Sequence, residues 1–172
     1  MKKILLILVL AITTGIFVQT QAKSVALKVN EIKTKQKNRK PGEKIFNAQA
    51  NKSLELIEQA AQKLSIKGVA IVAYIPGEVT DSWTSKIKVV GHLTSDKANL
   101  LGIASTKAAE MADTHQDSGS GVREIYSGEL GYKGGLIKKV KSGYILAVFS
   151  GGSSEQDLKV AKIGLDWLLK YY

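Results

Sequence analysis

Apolar residues recur at Ala50, Leu54, Ile57, Ala61 and Leu64, the spacing of one helix face, and Gly68 is placed to stop that helix. Val69 to Ile75 follows, nearly continuous and rich in β-branched side chains, closed by Pro76-Gly77. A run without polar alternation predicts a central strand covered on both faces. The pattern predicts a second strand over Ile87 to Leu93, after the connection Thr80-Asp81-Ser82-Trp83. Thr94-Ser95-Asp96 then offers an N-cap for a helix running to Asp113, with Leu100, Ala104, Lys107 or Ala108, and Met111 on one face. Its small residues, Gly102, Ala104, Ala108, Ala109 and Ala112, permit close packing against a sheet or against another subunit.

Further along, Leu136 to Val140 and Tyr144 to Phe149 are β-prone runs joined by Lys141-Ser142-Gly143, a polar turn with glycine where positive φ is expected. Ser150-Gly151-Gly152 breaks the second run. Ser153-Ser154, with Gln156 and Asp157 three residues after each serine, is a capping-box pattern. The helix it opens carries Leu158, Ala161, Leu165 and Leu168 along one face. The Gly-Gly bend can serve a tight turn alone, or it can expose backbone N–H groups to an anionic ligand. The order helix, strand, strand, helix, loop, strand, strand, helix predicts an α+β domain with one antiparallel sheet and helices packed on it.

The series from Gly131 to Asp157, GYKGGLIKKVKSGYILAVFSGGSSEQD, resembles the GlcG/HbpS-like family, whose members include small haem-binding proteins. Leu100 to Asp113, LLGIASTKAAEMAD, is similar to the Lys-Ala-containing helix of that family, and the likeness spans roughly Ala50 to the C-terminus. The resemblance implies a profilin-like single domain over residues 47–172, with an antiparallel sheet of about five strands, often assembled as a homo-oligomer. It also implies haem as the bound cofactor.

The N-terminus changes the compartment. Met1-Lys2-Lys3, the apolar run Ile4 to Ile12 and the small-residue end at Ala22 predict a signal peptide over residues 1–22 and hence an exported protein, periplasmic or secreted. Even extended to Val18, the apolar stretch is shorter than the ~20 residues of a spanning helix. The chain has no cysteine, which excludes disulfides, a cysteine-linked lipid anchor, thiol nucleophiles, iron–sulfur clusters and covalent haem attachment. The formal net charge of +10 is unevenly placed. Lys23 to Lys44 holds eight basic and two acidic residues, whereas the part from Ile45 onward holds fifteen and thirteen. Residues 23–46 therefore read as a basic flexible arm, with Lys33, Lys35, Lys37, Arg39 and Lys40 ahead of Pro41-Gly42. Such an arm could touch acidic lipid headgroups or an acidic partner. Nucleic acid is not expected, because the protein is read as exported and no aromatic residues interleave the cations.

Known catalytic constellations are absent. His92 and His115 are the two histidines, so HExxH zinc chemistry is excluded, and no GxSxG elbow, Walker loop or GxGxxG motif occurs. Glu124 and Glu129 could be paired carboxylates, but two solvated acids explain that spacing equally. A non-enzymatic role is the expectation. The stretch from His115 to Tyr132 gathers His115, Asp117, Arg123, Glu124, Tyr126, Glu129 and Tyr132, either a ligand site or an ordinary polar loop. Under the haem reading, His115 is the axial iron ligand with Tyr132 as alternate, and Arg123 or Lys107 pairs with a propionate. His92, beside Gly91, reads as structural, and Met111 as core. The rival reading is an oligomeric extracytoplasmic interaction or accessory module without cofactor.

Overall fold

The computed structural model describes residues 23–30 and 41–172 in full; the side chains of 1–22 and 31–40 are not described. The expected signal peptide and much of the expected basic arm therefore lie outside the described residues. Two compact units are distinguished, Met1–Asn38 and Arg39–Tyr172. No helix among the described residues is long and apolar enough to cross a membrane.

The elements are α1 (Lys2–Lys63), β1 (Gly68–Pro76), β2 (Thr84–Val90), α2 (Leu100–Thr114), β3 (Gly135–Val140), β4 (Gly143–Ser150) and α3 (Ser154–Leu169). Among the described residues the strands form one antiparallel sheet in the order β2-β1-β4-β3. The architecture is α+β, as expected, but the sheet has four strands and not five. The remaining long segment, 115–134, cannot extend the ladder. Gly119, Gly121, Gly128 and Gly131 all take positive φ there, and the segment folds as a loop.

Every residue of β1 is buried. Successive side chains of a strand alternate between the two faces of the sheet. Val69, Ile71, Ala73 and Ile75 meet Ala104, Ala108 and Met111 of α2. Ala70, Val72 and Tyr74 meet Phe46, Ile57 and Ala61 of α1 together with Val160, Leu165 and Leu168 of α3. Burial of each large apolar side chain contributes about 1.5–3 kcal/mol, so this central strand anchors both layers.

The arm expected to be flexible is helical over the described residues 23–30 and 41–46, as part of α1, and three further boundaries differ from the sequence expectation. First, β2 starts at Thr84 and ends before Gly91, whose φ of +84° breaks the extended run, so His92 lies beyond the strand and exposed. Second, α2 is capped by Asn99, whose side chain accepts the Gly102 N–H at 2.9 Å. Ser95 instead accepts from the Lys97 and Ala98 N–H groups, a local turn that holds the backbone out of the helix. Third, packing of the Arg39–Tyr172 unit begins before residue 47: Gly42 and Phe46 are buried, and the Tyr172 hydroxyl donates to Gly42 O at 2.7 Å. The start of α3 is as expected. The Ser153 side chain accepts from the Gln156 N–H, and the Gln156 side chain accepts from the Ser153 N–H.

Candidate functional site

Lys107 occupies a position on the apolar face of α2, one turn from Ala104 and from Met111. Asp157 sits likewise on the buried face of α3, ahead of Val160, Ala161 and Gly164. The fold brings the two together. Lys107 Nζ donates to Asp157 Oδ2 at 2.8 Å and to Phe149 O at 3.0 Å, with the two side chains 3% and 4% exposed. Asp157 Oδ1 accepts the Gly152 N–H at 2.8 Å. Burial pushes the Asp157 carboxyl above the usual carboxylate range, while Lys107 and the N–H groups of Gly152 and Gly151 pull the other way. Close approach needs glycine at 134: its φ is +138°, and a Cβ there would press on Lys107 Nζ, Asp157 and Phe149 O.

The pair forms the floor of a cleft of about 340 Å³. Ala98, Leu100 and Ile103 give it an apolar wall, and Gly151 and Gly152 line it beside the start of α3. Tyr132 and Lys133 also line it, and both are exposed.

The structure brings together two of the four residues expected to hold a ligand, Lys107 and Tyr132. His115 lies elsewhere. It is the left-handed C-cap of α2, stacked on Tyr144 with ring centroids 4.0 Å apart and planes 9° apart. Its Nε2 is 3.2 Å from Thr80 Oγ1, and it lines a separate cleft with Asp117, Lys138 and Lys139. Among the described residues no group of three His, Asp or Glu side chains is placed to hold a metal ion. Arg123 is engaged within its own loop. Its guanidinium grips Glu129 through two bonds of 2.8 Å, reaches Asp113 at 2.9 Å and lies 3.8 Å over the Tyr126 ring.

Much of the polar character of this loop serves backbone groups. Asp117 accepts the Ile137 N–H and Ser118 accepts the Gly135 N–H, which covers the outer edge of β3. Glu110, buried on α2, accepts the Gly119 N–H at 2.9 Å. The Arg123 guanidinium and the Tyr126 N–H lower the Glu129 carboxyl to about 2. Because this folded value is depressed, the contribution of Glu129 to loop order is present above its ordinary value near 4.5 and is lost as pH falls toward 2. Amide protection factors over residues 119–131, referred to the intrinsic exchange rate at each pH, should therefore fall across that window, and Glu129→Gln should show the faster exchange already at pH 7. An unchanged exchange pattern in the variant would mean that Arg123–Glu129 does not organise the loop.

Sequence reasoning singled out Lys107 and Tyr132 but read Asp157 only as part of a helix start. The signal for Asp157 was its spacing to Val160, Ala161 and Gly164, which places a carboxylate on an apolar face.

No family model matches the chain, and no curated protein matches it. Among solved structures, the chain is similar to the Klebsiella pneumoniae protein ORFY, a DUF336 protein, with a TM-score of 0.53 and 17% sequence identity. The match covers 71% of this chain and 88% of that one. The fold is therefore of the GlcG-like, DUF336 type, and at this identity the likeness concerns the fold alone.

Proposed function

We propose that this chain is an exported, non-enzymatic binding protein for a small ligand that enters the Lys107 cleft. One observation carries the reading: a fully buried ion pair lies at the floor of an open, partly apolar cleft. Well-packed apolar residues would serve stability as well as such a pair does, so its placement points to recognition. The residues lining the cleft include no histidine, and Lys107 Nζ is already bonded to Asp157 Oδ2 and Phe149 O, which favours binding over catalysis.

Haem is the ligand that the family resemblance implies. In this cleft Tyr132 would be the axial donor and Lys133 the propionate partner, since His115 and Arg123 are engaged elsewhere and Lys107 already holds a carboxylate. Haem would supply a redox-active iron. A volume near the low end for ligand sites suits a smaller molecule better. The test is a thermal-shift screen with hemin and a panel of small acids, ketones and amides. At least one compound should raise the melting temperature of the wild type and fail to do so in Ala98→Trp, which fills the cleft. If hemin is that compound, Tyr132→Phe should alter its Soret band more than His115→Ala does. Silence from hemin and from the whole panel defeats the reading.

A second reading, a homo-oligomeric accessory module, rests on β2. Ile87 and Val89 are 51% and 42% exposed on the α2 side of this edge strand, near Trp83. Lys86 and Lys88 point to the opposite face, bonded to Asn51 and Glu58. An edge that shows its apolar side to solvent suits a second copy. In this reading the basic arm contacts an acidic surface. Light scattering should then report a multiple of the chain mass that falls on Ile87→Lys, and a monomeric wild type excludes it.

A further inference from the structure

The Lys107 ammonium has three N–H donors. Phe149 O and Asp157 Oδ2 take two of them. Gly134 closes the strand side, where even a Cβ would press on Nζ, and the ammonium lines the cleft. The third donor is thus left to the cleft, and a buried N–H without an acceptor is unfavourable, so the floor is complementary to an acceptor atom.

The charge at the floor decides which acceptor. Asp157 already neutralises the ammonium and takes the N–H groups at the Gly151-Gly152 bend that an entering anion would need. A second carboxylate there would face a carboxylate. A neutral carbonyl oxygen meets no such repulsion. On the rim the balance is different: the Lys133 ammonium is exposed beside Tyr132 and acts on Glu155 only through space. Between floor and rim, Ala98, Leu100 and Ile103 offer an apolar wall.

We infer that the cleft binds a small oxo-carboxylic acid, with its ketone oxygen on Lys107, its carbon chain along the apolar wall and its carboxylate at Lys133. This rests on the small-ligand reading above and specifies its ligand class. Lys107 Nζ is committed by its bonds to Asp157 Oδ2 and Phe149 O and offers the ligand a hydrogen bond, so recognition is non-covalent.

The experiment is calorimetric titration of the full chain with 2-oxopentanoate, 4-oxopentanoate, pentanoate and 2-pentanone. One of the oxo-acids should bind at least about tenfold more tightly than pentanoate, which lacks the carbonyl, and than 2-pentanone, which lacks the carboxylate. Lys133→Met, at an exposed position, should bring that oxo-acid down to the level of 2-pentanone without altering the melting temperature. Pentanoate binding as tightly as the oxo-acids overturns the assignment of the floor, and an unaffected Lys133→Met overturns that of the rim; both leave small-ligand binding in place. If none of the four binds while another compound of the panel does, the class is wrong. If nothing binds at all, the reading beneath it falls too.

Discussion

Replacing Lys107 with methionine should destabilise the domain by about 3–5 kcal/mol at neutral pH, measured by urea unfolding, although methionine nearly matches the lysine stem in length. The loss comes from what remains. Asp157, with its side chain 4% exposed, would keep its charge among apolar neighbours without the ammonium 2.8 Å away, and Phe149 O would lose its donor. The carboxyl is already pushed up by burial, and removing Lys107 pushes it further. An acid whose folded value is raised binds more protons folded than unfolded across the window between the two values. Stability from that group therefore falls as pH rises through the window. The Lys107→Met deficit should accordingly be largest at neutral pH and shrink as the solution is acidified. Adding Asp157→Leu removes the orphaned charge, and the double variant should recover most of the loss. A Lys107→Met protein as stable as wild type at pH 7 would mean that the pair is not closed off from water.

The same pair shows where sequence reading stops. The strand Val69 to Ile75, the turn before Gly143 and the Ser153–Gln156 cap are local, and each was legible because spacing and residue chemistry decide them within a few residues. Lys107 and Asp157 stand 50 positions apart, and only packing of α2 and α3 around the start of β3 and the end of β4 joins them. Lys107 was legible as a charge on an apolar face, whereas Asp157 was read only as part of a helix start. The loop after α2 misled in the opposite sense. Its polar side chains look like a ligand site, yet Asp117 and Ser118 serve backbone N–H groups and Glu129 is taken up by Arg123 and the Tyr126 N–H, and no residue count reveals that use. The bounds of β2 were hidden because Lys86 and Lys88 face the α1 side while Ile87 and Val89 face solvent, which inverts the alternation that places a strand.

The other large effect lies at a residue that the charge pattern assigned to the arm. Phe46 is fully buried among Ala50, Tyr74, Leu165 and the rest of the core under α1 and α3. Phe46→Ala should cost about 3–5 kcal/mol, the transfer term plus the cavity left between helix and sheet. The neighbourhood cannot easily collapse into that space. Gly42 is held by the Tyr172 hydroxyl at 2.7 Å, and Tyr172 stacks on Tyr74 with ring centroids 5.8 Å apart. Tyr74 donates in turn to Ser142 O at 2.8 Å. Tyr172→Phe, which removes one of these bonds and no volume, should cost only about 0.5–1.5 kcal/mol. Lys44→Ala, an exposed position two residues from Phe46, should stay within about 0.5 kcal/mol of wild type. That contrast, read from denaturant midpoints at constant slope, separates packing from charge in the segment ahead of residue 47. A Phe46→Ala loss below about 1 kcal/mol would return Phe46 to the arm and put the start of the domain after it.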